Sequence, residues 1–146
     1  MTSIKWATDS DVSVITTGLN SLANDAYAET STISNSSNLY LFDDVELYIA
    51  SFGSTPSAGA RVELYMICKK LDDSSFEDGS TSVTPSPSTL VGVFDIREDS
   101  GTQIHILRHI PLPPSDFKYI VRNRTGQSFA SSSNLLRRKP YYYQTV

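Results

Sequence analysis

Apolar and polar residues alternate with a period of two through most of this chain, and the 3.6-residue period of a surface helix is scarce. Residues 39–50 read LYLFDDVELYIA, with Val45, Leu47 and Ile49 on one side and Glu46 and Tyr48 on the other, the alternation of a half-buried antiparallel strand. Residues 61–71, RVELYMICKKL, repeat it: Val62, Leu64, Met66 and Cys68 face in while Glu63, Tyr65 and Lys69 face out. The SFGSTPSAGA between them carries the Gly and Pro of a hairpin loop. The word VELY shared by the two stretches is a local likeness of strands, not a domain repeat. Three further strands are predicted over 90–96, 103–110 and 117–123, the first join turned by Asp99, Ser100 and Gly101 and the second forced out of the ladder by Pro111, Pro113 and Pro114. Residues 129–132 and 134–136 suggest a last short pair. In Leu19 to Ala28, the residues Leu19, Leu22, Ala23 and Ala26 could form the stripe of a short helix, but Asn and Asp interrupt it, and an extended segment turning at Asn24–Asp25 fits as well.

Seven or eight short strands separated by turn signals predict an all-β fold, a jelly-roll-like antiparallel β-sandwich with extended N- and C-terminal arms. At 146 residues one domain is expected: an N-terminal arm or edge segment over 1–18, a sandwich core over 19–136 and a C-terminal arm over 137–146. The Ser-, Thr- and Pro-rich stretch 72–89 is expected as a long surface loop at one end of the sandwich.

Composition narrows the function classes. The opening MTSIKWATDSD lacks the apolar stretch of a signal peptide, and no run approaches the ~18 apolar residues of a membrane span, so a soluble chain made in a cytoplasm is expected, with no membrane partner. Cys68 is the only cysteine, which excludes an internal disulfide and a cysteine-based zinc site. The net charge of -4 is unevenly spread: residues 1–116 hold all sixteen acidic residues, whereas 117–146 hold Lys118, Arg122, Arg124, Arg137, Arg138 and Lys139 and no acid. A basic end on an acidic body suits contact between subunits, and the acidic body would repel the phosphates of a nucleic acid.

Candidate chemistry is sparse. His105 and His109 in a strand would share a face but stand ~13 Å apart, too far to share an ion. Asp72, Asp73, Glu77 and Asp78 offer carboxylates to calcium but lack the ligand order of an EF-hand loop. Asp43 and Asp44 mark the polar start of a strand. There is no Gly-x-Ser-x-Gly elbow and no phosphate-cradling glycine motif, and Cys68 falls on the buried side of its strand. No enzyme, cofactor or metal is expected. Binding surface remains: Tyr40, Tyr48 and Tyr65 on outward faces suit a protein interface or a sugar platform, or else a face covered by another segment of the chain. Ile4 and Trp6 near the start and Tyr141, Tyr142 and Tyr143 near the finish give both ends apolar or aromatic residues that free tails usually lack, and Arg137, Arg138 and Lys139 make the second end basic. They read as arms that order on adjacent subunits, with packing on their own domain as the competing reading.

The chain also resembles a group of small bacteriophage virion proteins. The likeness rests on GLNSLANDAYAETSTISNSSNLYLFDDVELYIA, RVELYMICKKLDDSSFEDG and IPLPPSDFKYIVRNRTGQSFASSSNLL, and covers most of Leu19 to Leu136. Its bearers are Leu22, Asn24, Val62, Glu63, Leu64, Tyr65, Pro111, Leu112, Pro113, Pro114, Asn123, Thr125, Gly126, Phe129 and Ala130; Asp25, where glycine is expected, and the RRKPYYY ending depart from it. The resemblance implies a capsid cement (decoration) protein on the outer surface of a phage head, bound to the major capsid protein as a homo-oligomer, a trimer by preference. Two rivals are a tail or fibre module that binds host-surface carbohydrate through an aromatic platform, and a minor glycan hydrolase with two facing carboxylates in a cleft.

Overall fold

A computed structural model describes residues 2–146. The strands are β1 (Ile4–Thr8), β2 (Val12–Ile15), β3 (Tyr27–Glu29), β4 (Phe42–Ile49), β5 (Arg61–Cys68), β6 (Leu90–Asp95), β7 (Gln103–Pro111), β8 (Phe117–Arg124) and β9 (Leu135–Thr145), and the one helical element among the described residues is a 3₁₀ turn at Pro87–Thr89. Pairing follows one long rolled hairpin: β2 with β9, β3 with β8, β4 with β7 and β5 with β6, all antiparallel. Rolling sends alternate rungs to opposite layers, giving a sheet of order β1-β9-β4-β7 with β2 also on β9, packed against β3-β8-β5-β6. This is a jelly-roll β-sandwich.

The period-two pattern sets which side chains meet between the layers. Along β4 every second residue is buried, and Val45, Leu47 and Ile49 meet Val62, Leu64, Phe94, Tyr119, Val121 and Leu136 in one core. Burying such a strand face supplies roughly 1.5–3 kcal/mol per large apolar side chain.

Neighbours differ from expectation where periodicity is silent. Residues 51–60, expected as a hairpin loop, cross between the sheets, because β4 pairs with β7 and β9 while β5 pairs with β6 and β8. Leu19 to Ala28 forms turns leading into β3, with Asp25 at φ +64°, so the extended reading holds. Phe129 makes an isolated bridge to Phe52, and Leu135 begins an eleven-residue strand.

Two larger differences bear on function. The stretch after β5 is a strap rather than a free loop: Phe76 bridges back to Lys69 and packs on Tyr65, Ile67 and Ile120 on the outer face of the four-stranded sheet. The chain passes so close there that a Cβ on Gly79 would stand 2.7 Å from Ile67 Cδ1. Tyr65, expected at an interface, is therefore 7% exposed; a segment of its own chain covers it. Of residues 137–146, expected as an arm, 137–145 make up nine of the eleven residues of β9, flanked by β4 and by β1 and β2. Residues 1–18, where described, supply the edge strands. Pro140 explains the break between those two: its carbonyl accepts from Asp9 N–H at 3.0 Å, so its missing N–H points to the same side, and the edge chain bulges over residues 9–11.

Candidate functional site

The outer face of the five-stranded sheet carries an aromatic cluster assembled by strand register. Trp6 stands opposite Tyr143, and Phe42 stands opposite both Tyr141 and Pro111. A bulge adds the fifth ring. Ile110 pairs with Asp43 and Leu107 with Val45, so Arg108 and His109 together oppose Asp44. His109 takes a left-handed conformation, φ +61°, which costs a non-glycine residue roughly 1–2 kcal/mol. The Asp44 carboxylate holds it there: one oxygen accepts from the His109 backbone N–H at 2.9 Å and the other from Arg108 Nη1 at 2.8 Å.

The rings are in mutual contact yet open to water. His109 stacks on Phe42 with centroids 3.9 Å apart and planes 20° from parallel. Trp6 lies 4.6 Å from Tyr143, 5.2 Å from Tyr141 and 6.0 Å from His109, within the range of favourable aromatic pairs. Tyr141 Oη and His109 Nδ1 are hydrogen-bonded at 2.9 Å, and burial among the rings, with Asp44 nearby, pushes the Tyr141 hydroxyl pKa up. Trp6 remains 57% exposed and Tyr143 47%.

Two hollows open on this face. One, of about 370 Å³, is lined by Trp6, Thr8, Tyr141 and His109 together with Asp44 and Arg108. The other, of about 220 Å³, shares Asp44 and Arg108 and continues onto Asp11, Glu46, Arg137 and Lys139. Beneath it the sheets are tied together by a buried group: Asp43 Oδ2 accepts from Tyr119 Oη at 2.8 Å and from Arg138 Nε at 2.6 Å. Burial pushes the Asp43 carboxyl up despite the opposing pull of Arg138, and it drives the Tyr119 hydroxyl well up. Asp43 Oδ1 and Arg138 Nη2 are buried with no hydrogen-bond partner.

Trp6, Tyr141, Tyr143, Arg137 and Lys139, singled out from the sequence, come together here. Ile4 continues the same face outward, opposite Thr145 and 71% exposed; Tyr48 lies at its far end, opposite Ile104 and Leu135. Tyr142 points to the other side, 5.9 Å from Tyr40, and Arg138 points inward. The sequence reading missed Phe42, Asp43, Asp44, Arg108 and His109 as site residues. A parity signal was present for Asp43, which shares a side with Val45, Leu47 and Ile49. None existed for His109: the bulge sends it outward while His105, opposite Leu47, faces in against Gln103, so the two do not share a face.

The basic segment finds its acids within the chain. Lys118 pairs with Glu29 at 3.0 Å, Arg124 with Asp25 at 3.2 Å, Arg122 with Asp25 and Glu63, Arg137 with Glu46 at 3.5 Å and Arg138 with Asp43. The acidic stretch 72–78 is used locally, Asp72 accepting from Ser74 and Glu77 from the Cys68 backbone N–H. Among the described residues no three His, Cys, Asp or Glu side chains are grouped to hold a metal ion. Among those residues no helix is long and apolar enough to cross a membrane.

No protein-family model and no curated protein sequence matches the chain. Among solved structures it is similar to the CBM36-1 domain of a multidomain xylanase from the hindgut metagenome of Trinervitermes trinervoides, at 11% identity over 96% of each chain and a TM-score of 0.47. It is similar to the carbohydrate-binding module CBM36 in complex with calcium and xylotriose, at 11% identity over 100% of this chain and 99% of that one, TM-score 0.42. It is also similar to the enzymatically active domain of bacteriophage CBA120 tailspike protein 4, at 10% identity over 99% of this chain and 18% of that one, TM-score 0.35. At these scores the fold and the site rest on the chain's own geometry.

Proposed function

We propose that this chain is a non-catalytic recognition module that binds carbohydrate on the outer face of its five-stranded sheet. The observation that carries the reading is the five-ring cluster of Trp6, Phe42, His109, Tyr141 and Tyr143, which is built by register and by a strained, carboxylate-held bulge yet stays open to solvent. A core cluster would be covered. A sugar ring presents C–H groups on its faces and hydroxyls around its rim, and it fits an aromatic surface edged by Asp44 and Arg108, which supply acceptors and donors. The hydrolase rival is disfavoured because the outer-face carboxylates Asp44 and Glu46 stand side by side on β4, each paired with an arginine, and not on facing walls of a cleft.

The test is calorimetry after a glycan-array screen. The chain is expected to retain at least one glycan class, and Trp6→Ala to weaken that binding at least tenfold while circular dichroism and Tm stay near wild type, since Trp6 is an exposed edge residue. Retention undiminished in Trp6→Ala, or no retention at all, overturns the proposal.

A second reading, docking on protein neighbours in a virion, such as a major capsid protein or further copies of the chain in a trimer on the outer surface of a phage head, is favoured by β7. That strand ends its sheet, with Ile104 57% and Ile106 43% exposed, and an uncovered apolar edge is a template for strand addition. Light scattering and rebinding to stripped capsids test it: a monomer that fails to rebind removes this reading.

A further inference from the structure

The two hollows share Asp44 and Arg108 and therefore adjoin. Their linings differ in kind. The larger is walled by rings, whereas the smaller is floored by ionised groups from β4, β7 and β9. The charges of the smaller one cancel. Arg108 is matched by Asp44 at 2.8 Å and Arg137 by Glu46 at 3.5 Å, and Arg138 is set against the buried Asp43 below. That leaves Asp11 and Lys139, one of each sign.

Resting on the carbohydrate reading, we infer that the ligand is a neutral oligosaccharide of at least two sugar residues, one ring lying on the aromatic wall and the next over the charge-balanced floor. A floor of matched pairs has no excess charge with which to hold an anion. A carboxylate or sulfate placed there would meet Asp44 or Glu46 as closely as it met their arginines, and would compete with those acids for the guanidinium groups. A hydroxyl faces no such conflict. It donates and accepts at once, and an arginine with five N–H donors beside a carboxylate with about four lone-pair sites keeps capacity beyond its own ion pair. Glu46 and Arg137 illustrate this: they pair at 3.5 Å while their side chains stay 31% and 37% exposed. The length follows from the adjoining volumes, because a single ring seated on Trp6 and Tyr141 leaves the floor of Glu46, Arg137 and Lys139 untouched.

The experiment is calorimetry with neutral gluco-, xylo-, galacto- and manno-oligosaccharides of one to four residues, and with matched oligosaccharides carrying a uronic or sialic acid, at 50 and 500 mM NaCl. In the responsive neutral series, the disaccharide is expected to bind at least tenfold more tightly than the monosaccharide. Its affinity should change less than about twofold between the two salts, because a neutral ligand releases no ion pairing to screening. Glu46→Gln should narrow the gain from mono- to disaccharide, whereas Trp6→Ala should weaken both. Tighter, salt-sensitive binding of acidic oligosaccharides overturns the neutral assignment and leaves the platform reading standing. Equal affinity for mono- and disaccharides overturns the two-ring arrangement. Failure of every sugar to bind overturns the carbohydrate reading itself.

Discussion

Replacing Arg138 by methionine tests the buried group beneath the site. Arg138 is 7% exposed and Asp43 not at all, and only Tyr119 Oη remains to donate to Asp43 once the guanidinium is gone. Removing one partner of a buried pair typically costs about 3–5 kcal/mol, because the surviving charge is left without compensation. At roughly 3 °C per kcal/mol for a chain of this size, Tm should fall by about 10 °C or more at pH 7. The pH dependence carries the sign. Burial already raises the Asp43 carboxyl above its ordinary value of 3.8, with Arg138 pulling it down. A raised carboxyl contributes stability that is fully present below the unfolded pKa and is lost as pH rises through the folded one. Deleting Arg138 removes the downward pull, so the loss moves to higher pH and the variant should regain ground on wild type as pH falls from 7 toward 5. In the double variant Asp43→Asn with Arg138→Met, no buried charge remains, and stability should return to within about 2 kcal/mol of wild type. Urea titrations followed by circular dichroism at pH 5, 6 and 7 measure all three. A single variant within about 1 kcal/mol of wild type at pH 7, or a deficit independent of pH, refutes the reasoning.

Three further outcomes follow from packing. A chain ending at Leu136 should not fold, as judged by far-ultraviolet circular dichroism, because it removes the part of β9 that joins β1 to β4; a cooperative, strand-rich truncation would show the C-terminal segment to be dispensable. Gly92→Ala should destabilise by about 1–3 kcal/mol in urea titration, since its Cβ would fall 2.4 Å from Leu107 Cδ1 where β6 faces β7. His109→Gly relieves the φ +61° strain but deletes the ring on Phe42, so Tm should move by only a few degrees while glycan affinity drops; unchanged affinity would remove His109 from the platform.

How much was legible in the sequence can be judged residue by residue. The alternation at Val45, Leu47 and Ile49 and at Val62, Leu64 and Met66 marked the buried faces correctly, because a strand's side chains alternate whatever its neighbours are. Extended by one step the same alternation reaches Asp43, read from the sequence only as the polar start of a strand; its pairing to Arg138 from 95 residues away was invisible. Trp6, Tyr141 and Tyr143 were legible as unusual for chain ends, but not as parts of one surface. Tyr65 was misplaced because alternation along β5 is silent about Phe76, which folds over it from the strap.

The sequence by itself determined the all-β class, the inward and outward sides of most strands, and the apolar or aromatic character of both ends, since each follows from side-chain type and a local two-residue period. Only the tertiary structure decided strand partnership, and with it the strand of residues 135–145, the bulge that turns His109 outward, and the meeting of five rings from four strands. Those outcomes depend on hydrogen bonds and packing between segments as distant as Trp6 and Tyr143, and local periodicity carries no information about which distant segment will satisfy a strand's free edge.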